Sequence, residues 1–290
     1  MHLQKVCPQC NERRFAPNMN GLYHLHMTMI QLKHMRLEVE LINAPASEHP
    51  SQLAPIVFLH EGLGSVAMWR SRQGFWPERV CQASARAGVV YSRRGYGQSD
   101  SVPDVRGRNR LPPDYMHQEA WEVLPELLKV LEIEQPVLLG HSDGGTIALL
   151  HAARQPLSAC IVMAPHVMVE EVSLRAIEAA RDAYVQGPMR ESLSKYHNDV
   201  DTAFWQWNDV WLSQGFRSFD IRNVCRDIRC PVLALQGVDD AYGTLRQIED
   251  IRSDHGSITR HVLPECAHSP HKDQAQATLS LVVDFLADKP

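Results

Sequence analysis

From Arg36 onward the chain alternates short apolar runs with longer segments of helical period. Arg36–Asn43 switches between polar and apolar side chains, the pattern of a strand with one buried face. Residues 44–55 hold three prolines and read as a turn. Six apolar runs follow: Ile56–Leu59, Gly88–Tyr91, Pro136–Leu139, Ala159–Ala164, Pro231–Leu235 and His261–Leu263. Strands covered on both faces of a parallel sheet read this way. Helix-length segments lie between most of them. Glu119–Leu131 sets Trp121, Leu124, Leu128 and Leu131 near one face, Thr146–Ala153 is apolar throughout, and Ala241–Arg252 and Gln274–Leu286 are amphipathic. Strands alternating with helices predict right-handed βαβ units and a doubly wound, mostly parallel α/β sheet.

Two segments depart from the alternation. Residues 1–34 are polar, rich in Met and His, and without period; they are expected to be an N-terminal tail. Residues 166–226 contain no good strand. They carry helical pattern together with Trp205, Trp207, Trp211, Phe204, Phe216 and Phe219. An all-helical insertion between the sixth and seventh expected strands reads as a cap, with residues 35–165 and 227–290 forming the core.

Composition narrows the function. The 290 residues include 29 Lys+Arg and 34 Asp+Glu, a formal net charge of −5, which argues against nucleic acid as a partner. No run approaches the length of a membrane span, and no signal-peptide core precedes the first strand, so a cytoplasmic protein without membrane attachment is expected. Seven cysteines are scattered along the chain, consistent with free thiols. Cys7 and Cys10 form a CxxC pair, but no second pair stands at zinc-knuckle spacing, so neither a metal nor an organic cofactor is expected.

The chemistry concentrates at Gly140-His141-Ser142-Asp143-Gly144. This is G-x-S-x-G directly after an apolar run and before a helix, the setting in which a serine is held on a sharp turn as a nucleophile. A serine hydroxyl needs a base. His268, in the loop after His261–Leu263, lies at the sheet edge that also carries Ser142, and is expected to act as general base. His271, three residues on, is expected to cap or rim the last helix. The acid that orients the imidazole should stand after Pro231–Leu235, where Asp240 is preferred to Asp239. The turn His60-Glu61-Gly62-Leu63-Gly64 can aim the Gly62 N–H at a developing oxyanion, with the Asp143 N–H as second donor and His60 as a buttress.

Together these residues resemble the α/β-hydrolase superfamily, from about Arg36 to the C-terminus. The resemblance includes the H-x-G-x-G turn, Arg94-Gly95-Tyr96-Gly97-Gln98-Ser99-Asp100, and the Gly237-to-Asp240 spacing, which in that family marks the acid. Within it, Ser142-Asp143-Gly144-Gly145 and the cap length are similar to valacyclovir hydrolase and its biphenyl-hydrolase-like relatives. That resemblance implies that Asp143 recognises the α-amino group of an amino-acid ester. A carboxylate there is also favourable for helix capping alone. Glu61 departs from the subgroup's oxyanion turn. Trp69, His166, Trp205 and Trp207 are further candidates for the substrate pocket, although Trp205 and Trp207 fall on different helix faces, so at least one belongs to the core. The expected activity is hydrolysis of a small carboxylic ester through an acyl-enzyme. The same site could serve an amide, a thioester, a lactone or a carbon–carbon bond beside a ketone, and a non-catalytic ligand binder is the remaining alternative.

Overall fold

A computed structural model describes residues 25–43 and 53–289; Cys7 and Cys10 lie outside the described residues. The central sheet has eight strands: β1 (Leu25–Gln31), β2 (Arg36–Ile42), β3 (Ile56–Leu59), β4 (Gly88–Tyr91), β5 (Val137–His141), β6 (Ala159–Met163), β7 (Val232–Gly237) and β8 (Ile258–Leu263). Their spatial order is β1-β2-β4-β3-β5-β6-β7-β8. From β4 to β8 all pairs are parallel, while β2 is antiparallel to both β1 and β4.

The inner strands are buried at every position because both faces are covered. Successive residues feed two separate cores. Val57, Leu59, Leu138, Cys160, Val162 and Ala234 pack with one set of helices, and Ile56, Phe58, Leu139, Ile161, Leu233 and Leu235 with the other. α1 (Trp76–Ser84) and α10 (Ala275–Leu286) cover the second face. The first face carries α2 (Tyr115–Gln118), one π turn at Glu119–Val123, α3 (Leu124–Val130) and α4 (Asp143–Ala152). The predicted helix Glu119–Leu131 thus starts earlier and contains a π turn. Between β6 and β7 run α5 (Glu171–Val185), α6 (Pro188–Leu193) and α7 (Val200–Trp211). Asp199 caps α7, its carboxylate accepting from the Thr202 N–H at 2.9 Å. Such a cap contributes about 1 kcal/mol and here fixes where the α7 tryptophans begin. Two short helices, α8 (Arg246–Glu249) and α9 (Pro270–Asp273), complete the set.

Three expectations change. Leu25–Gln31 is a strand, not part of a tail, in register with β2 from Leu25–Ile42 to Gln31–Arg36. As an edge strand it gains a full hydrogen-bond ladder while its side chains stay largely exposed, so no apolar alternation is required of it. In β2 every residue from Leu37 to Ile42 is buried, including Glu38 and Glu40. Glu38 accepts from Ser92 Oγ and the Gln98 N–H, and Glu40 pairs with Arg70 at 2.5 Å. The polar half of the predicted alternation is therefore internal and hydrogen-bonded. The amphipathic stretch Ala241–Arg252 forms only the single turn α8, the rest being loop.

Candidate active site

β5 ends at His141 and α4 starts at Asp143, which leaves one residue, Ser142, for the reversal. Its φ of 54° and ψ of −120° are rarely adopted by residues with a side chain. The strand and helix can meet only because Gly140 and Gly144 lack side chains. A Cβ on Gly140 would lie 2.2 Å from the Gly144 carbonyl oxygen, and one on Gly144 would lie 2.1 Å from that of Leu59. The Ser142 N–H donates to the Met163 carbonyl at 2.9 Å, tying the turn to β6.

Ser142 Oγ lies 3.0 Å from His268 Nε2, and both Asp240 oxygens lie 2.9 Å from His268 Nδ1. With Nδ1–H donating to Asp240, Nε2 is left as an acceptor for the serine proton. Asp240 is held from its other side by the Tyr242 N–H at 2.7 Å and by Gln236 Nε2 at 2.6 Å. Burial alone would raise its pKa, but the hydrogen bond and charge of His268 and the Tyr242 amide bring it below the usual carboxylate range. Asp239 is exposed and does not meet the imidazole.

Arg93 organises the turn after β3. Its guanidinium donates to the carbonyls of His60 and Glu61, at 2.9 and 3.0 Å, and its backbone N–H donates to His60 Nε2 at 3.0 Å. His60 Nδ1 in turn reaches the Glu61 carbonyl at 2.6 Å. One neutral tautomer, protonated at Nδ1, satisfies both ring nitrogens of His60. Burial, seconded by Arg93, holds its pKa well below the ordinary value. His60 therefore braces the turn that carries Gly62. Glu61 Oε2 lies 3.5 Å from His141 Nδ1, and His141 Nε2 lies 2.7 Å from the His268 carbonyl oxygen.

Asp143 is fully buried. Its Oδ2 accepts from the Tyr115 hydroxyl at 2.5 Å and lies 3.7 Å from Arg93 Nη2, while Oδ1 is buried without a hydrogen-bond partner. Burial raises its pKa, and Arg93 and Tyr115 offset part of that rise. Trp211 Nε1 donates to the Tyr115 hydroxyl at 3.1 Å and completes the support.

A cavity of about 220 Å³ lies beside Ser142, with Gly62, Asp143, His166, Trp207, Trp211, Tyr242 and His268 also on its wall. Gly62 needs its small size here, since a Cβ would lie 2.2 Å from the Trp207 indole nitrogen. His166 presents its ring 5.7 Å from that of His268, and burial pushes its pKa down to about 3, so it is a neutral wall residue.

Three sequence-based expectations fail here. Trp69 does not line the cavity; it packs on the opposite core, stacked on Trp76 and 4.9 Å from the His271 ring, because the short turn Val66–Trp69 carries it back under the sheet. Trp205 lies on the far side of α7 beneath the Arg106 guanidinium at 3.8 Å. Residues two apart on a helix project about 200° apart, which separates it from Trp207. His271 is neither cap nor rim. It is buried against Trp69, Trp76 and His141, with its pKa held well below the ordinary value by burial. The sequence reading also missed Trp211, which its i,i+4 spacing from Trp207 would have indicated, and Tyr115 and Tyr242, for which there was no local signal.

Among the described residues no group of three or more His, Cys, Asp or Glu side chains is placed to hold a metal ion, and no helix is long and apolar enough to cross a membrane.

The chain has relatives among known proteins. Residues 56–281 match the family profile described as "Alpha/beta hydrolase family". The mouse protein named serine hydrolase BPHL is 31% identical over 210 residues, covering 68% of this chain and 68% of that protein. Among solved structures, an esterase from Exiguobacterium antarcticum superposes with a TM-score of 0.68 at 18% identity, covering 90% of this chain and 99% of that one. The enol-lactonase from Burkholderia xenovorans LB400 gives 0.66 at 18% identity, covering 90% and 100%. At these identities the two structures speak for the fold alone.

Proposed function

Since the chain belongs to the alpha/beta hydrolase family, we propose that it is a serine hydrolase cleaving carboxylic esters through an acyl-enzyme on Ser142. The observation that carries this reading is the continuous hydrogen-bonded line from Ser142 Oγ through His268 to Asp240. Ser142 attacks the ester carbonyl as His268 Nε2 takes its proton. Asp240 keeps the imidazole in the required tautomer and stabilises the imidazolium. The Gly62 and Asp143 amides receive the oxyanion. His268 then protonates the departing alcohol, and water releases the acid by the same route. The buried free thiols Cys160, Cys225, Cys230 and Cys266 fit a reducing compartment such as the cytoplasm.

The experiment is covalent labelling with a fluorophosphonate probe, alongside turnover of a panel of an ester, a lactone, a thioester and an amide. A single phosphonyl adduct on the Ser142 peptide, with the ester turned over fastest, is expected. An adduct elsewhere, or no turnover of any member, overturns the reading.

The substrate class is an ester whose acyl part carries an α-ammonium group. Asp143 Oδ1 is the support: an unpaired, buried carboxylate oxygen on the wall that holds Ser142. The nearby Arg93 guanidinium offsets the charge that Asp143 would otherwise set against the oxyanion. Phenylalanine benzyl ester is expected to exceed its analogue lacking the amino group by about 100-fold in kcat/KM. Asp143→Asn is expected to bring that ratio close to one. Because burial raises the Asp143 pKa, the preference should fade as pH falls and the carboxylate takes up a proton. A ratio near one in the wild type would make Asp143 a helix cap and the protein a general carboxylesterase.

A further inference from the structure

Behind the wall formed by Arg93 and Tyr115, and outside the cavity that holds Ser142, lies a second cavity of about 420 Å³. Its lining residues include Arg93, Arg94, Arg108 and Arg110, against one acidic residue, Glu119. That carboxylate is already engaged, accepting from the Tyr91 hydroxyl at 2.9 Å. On one of the lining side chains, Arg94, the Nε atom is buried with no hydrogen-bond partner. A donor left dry in a folded protein is unfavourable, so a cavity lined by such a side chain favours an occupant that can accept hydrogen bonds. Arg108 and Arg110 stand at the exposed rim, 3.3 and 3.6 Å from Asp104 and Asp209. They can draw an anion inward. Leu111 and Val123 add apolar wall.

We propose that this cavity binds a small molecule bearing a carboxylate or phosphate group, whose oxygens accept from the Arg94 guanidinium. The fork of a guanidinium matches two oxygens of such a group. The occupant is not the ester being cleaved, because Arg93 and Tyr115 stand between this cavity and Ser142. They also give the site a route to the reaction. Arg93 faces Asp143 and holds the carbonyls of the oxyanion turn, and Tyr115 donates to Asp143. An anion beside Arg93 makes the Asp143 cavity more negative and favours a cationic substrate there. This coupling rests on the amino-ester reading of Asp143; the binding itself does not.

The test is calorimetric titration of the full chain, first phosphonylated at Ser142 so that the catalytic cavity is closed. Benzoate and inorganic phosphate are titrated separately. Millimolar or tighter binding of one of them, weakened roughly tenfold or more by Arg94→Gln and to a lesser degree by the rim variant Arg110→Gln, is expected. Benzoate binding would assign the carboxylate, and phosphate binding the phosphate. Failure of both anions to bind at millimolar concentration, or binding unchanged in both variants, overturns the proposal. Thermal melts identify a variant that has lost its fold, and Arg110→Gln, at an exposed position, decides the matter if Arg94→Gln does. Should the chain fail to label at Ser142, the same titration on unlabelled protein, competed by the ester analogue, separates the two cavities. In an enzyme that turns over amino esters, the anion that binds is expected to lower KM for the amino ester and leave KM for the desamino analogue unchanged.

Discussion

Ser142→Ala is expected to lower ester turnover by about 10⁴-fold or more while the fold survives. Alanine keeps the Cβ and leaves Gly140, Gly144 and the Ser142–Met163 backbone bond untouched, so the elbow loses only one hydroxyl. His268 loses its 3.0 Å partner but keeps Asp240. The residual rate would come from the amides of Gly62 and Asp143, which the substitution does not alter. His268→Ala should cost about as much, and the double variant little more, because the two groups act as one unit. Steady-state kinetics beside a thermal melt read both quantities. An unchanged rate in a folded Ser142→Ala protein would remove Ser142 from the chemistry.

A second large effect is loss of stability on mild acidification. His60, His166 and His271 are buried, and burial is the leading cause that lowers each of their pKa values in the folded protein. The unfolded chain returns them to about 6.5. Below that pH the unfolded state binds more protons than the folded one, so stability falls as pH falls. At pH 5 each imidazole that stays neutral in the fold costs about 2 kcal/mol relative to neutral pH. Asp143 and Glu119, raised by burial, act in the opposite sense. The exposed ion pairs of Arg190 with Asp201 and Arg222 with Asp220 are screened by solvent and contribute little either way. Urea unfolding at pH 7.5 and pH 5 should show the midpoint fall sharply, and His271→Gln should flatten that dependence. Equal midpoints at the two pH values would contradict this account.

The sheet was legible in the sequence because its inner strands are covered on both faces, and continuous apolar runs such as Ile56–Leu59 have few other uses. The serine turn was legible because steric demand at Gly140 and Gly144 admits few residues. The positions of His268 and Asp240 followed from chain order at one sheet edge. What stayed hidden was set by partners distant in sequence. Nothing near Arg36 says that Glu38 and Glu40 will be buried, since their hydrogen bonds come from Ser92, Gln98 and Arg70. Trp69 and Trp205 have the composition of pocket residues and the geometry of packing residues, and only the direction of the local turn or helix face decides between them. Arg93 stands beside the quoted Arg94-Gly95 turn, yet its role depends on His60, Glu61 and Asp143, which come together only in the folded protein.

With Ser142 as the proposed nucleophile, its backbone sets the chain's stability against that chemistry. A φ of 54° is a conformation that glycine enters freely and serine does not. Random substitution selected for thermal endurance alone would therefore drift at this position toward a residue with no hydroxyl, and would gain by it. On the proposed reading, the serine is retained by selection for the reaction it carries. A descendant released from that selection would be expected to become firmer and silent by the same single change.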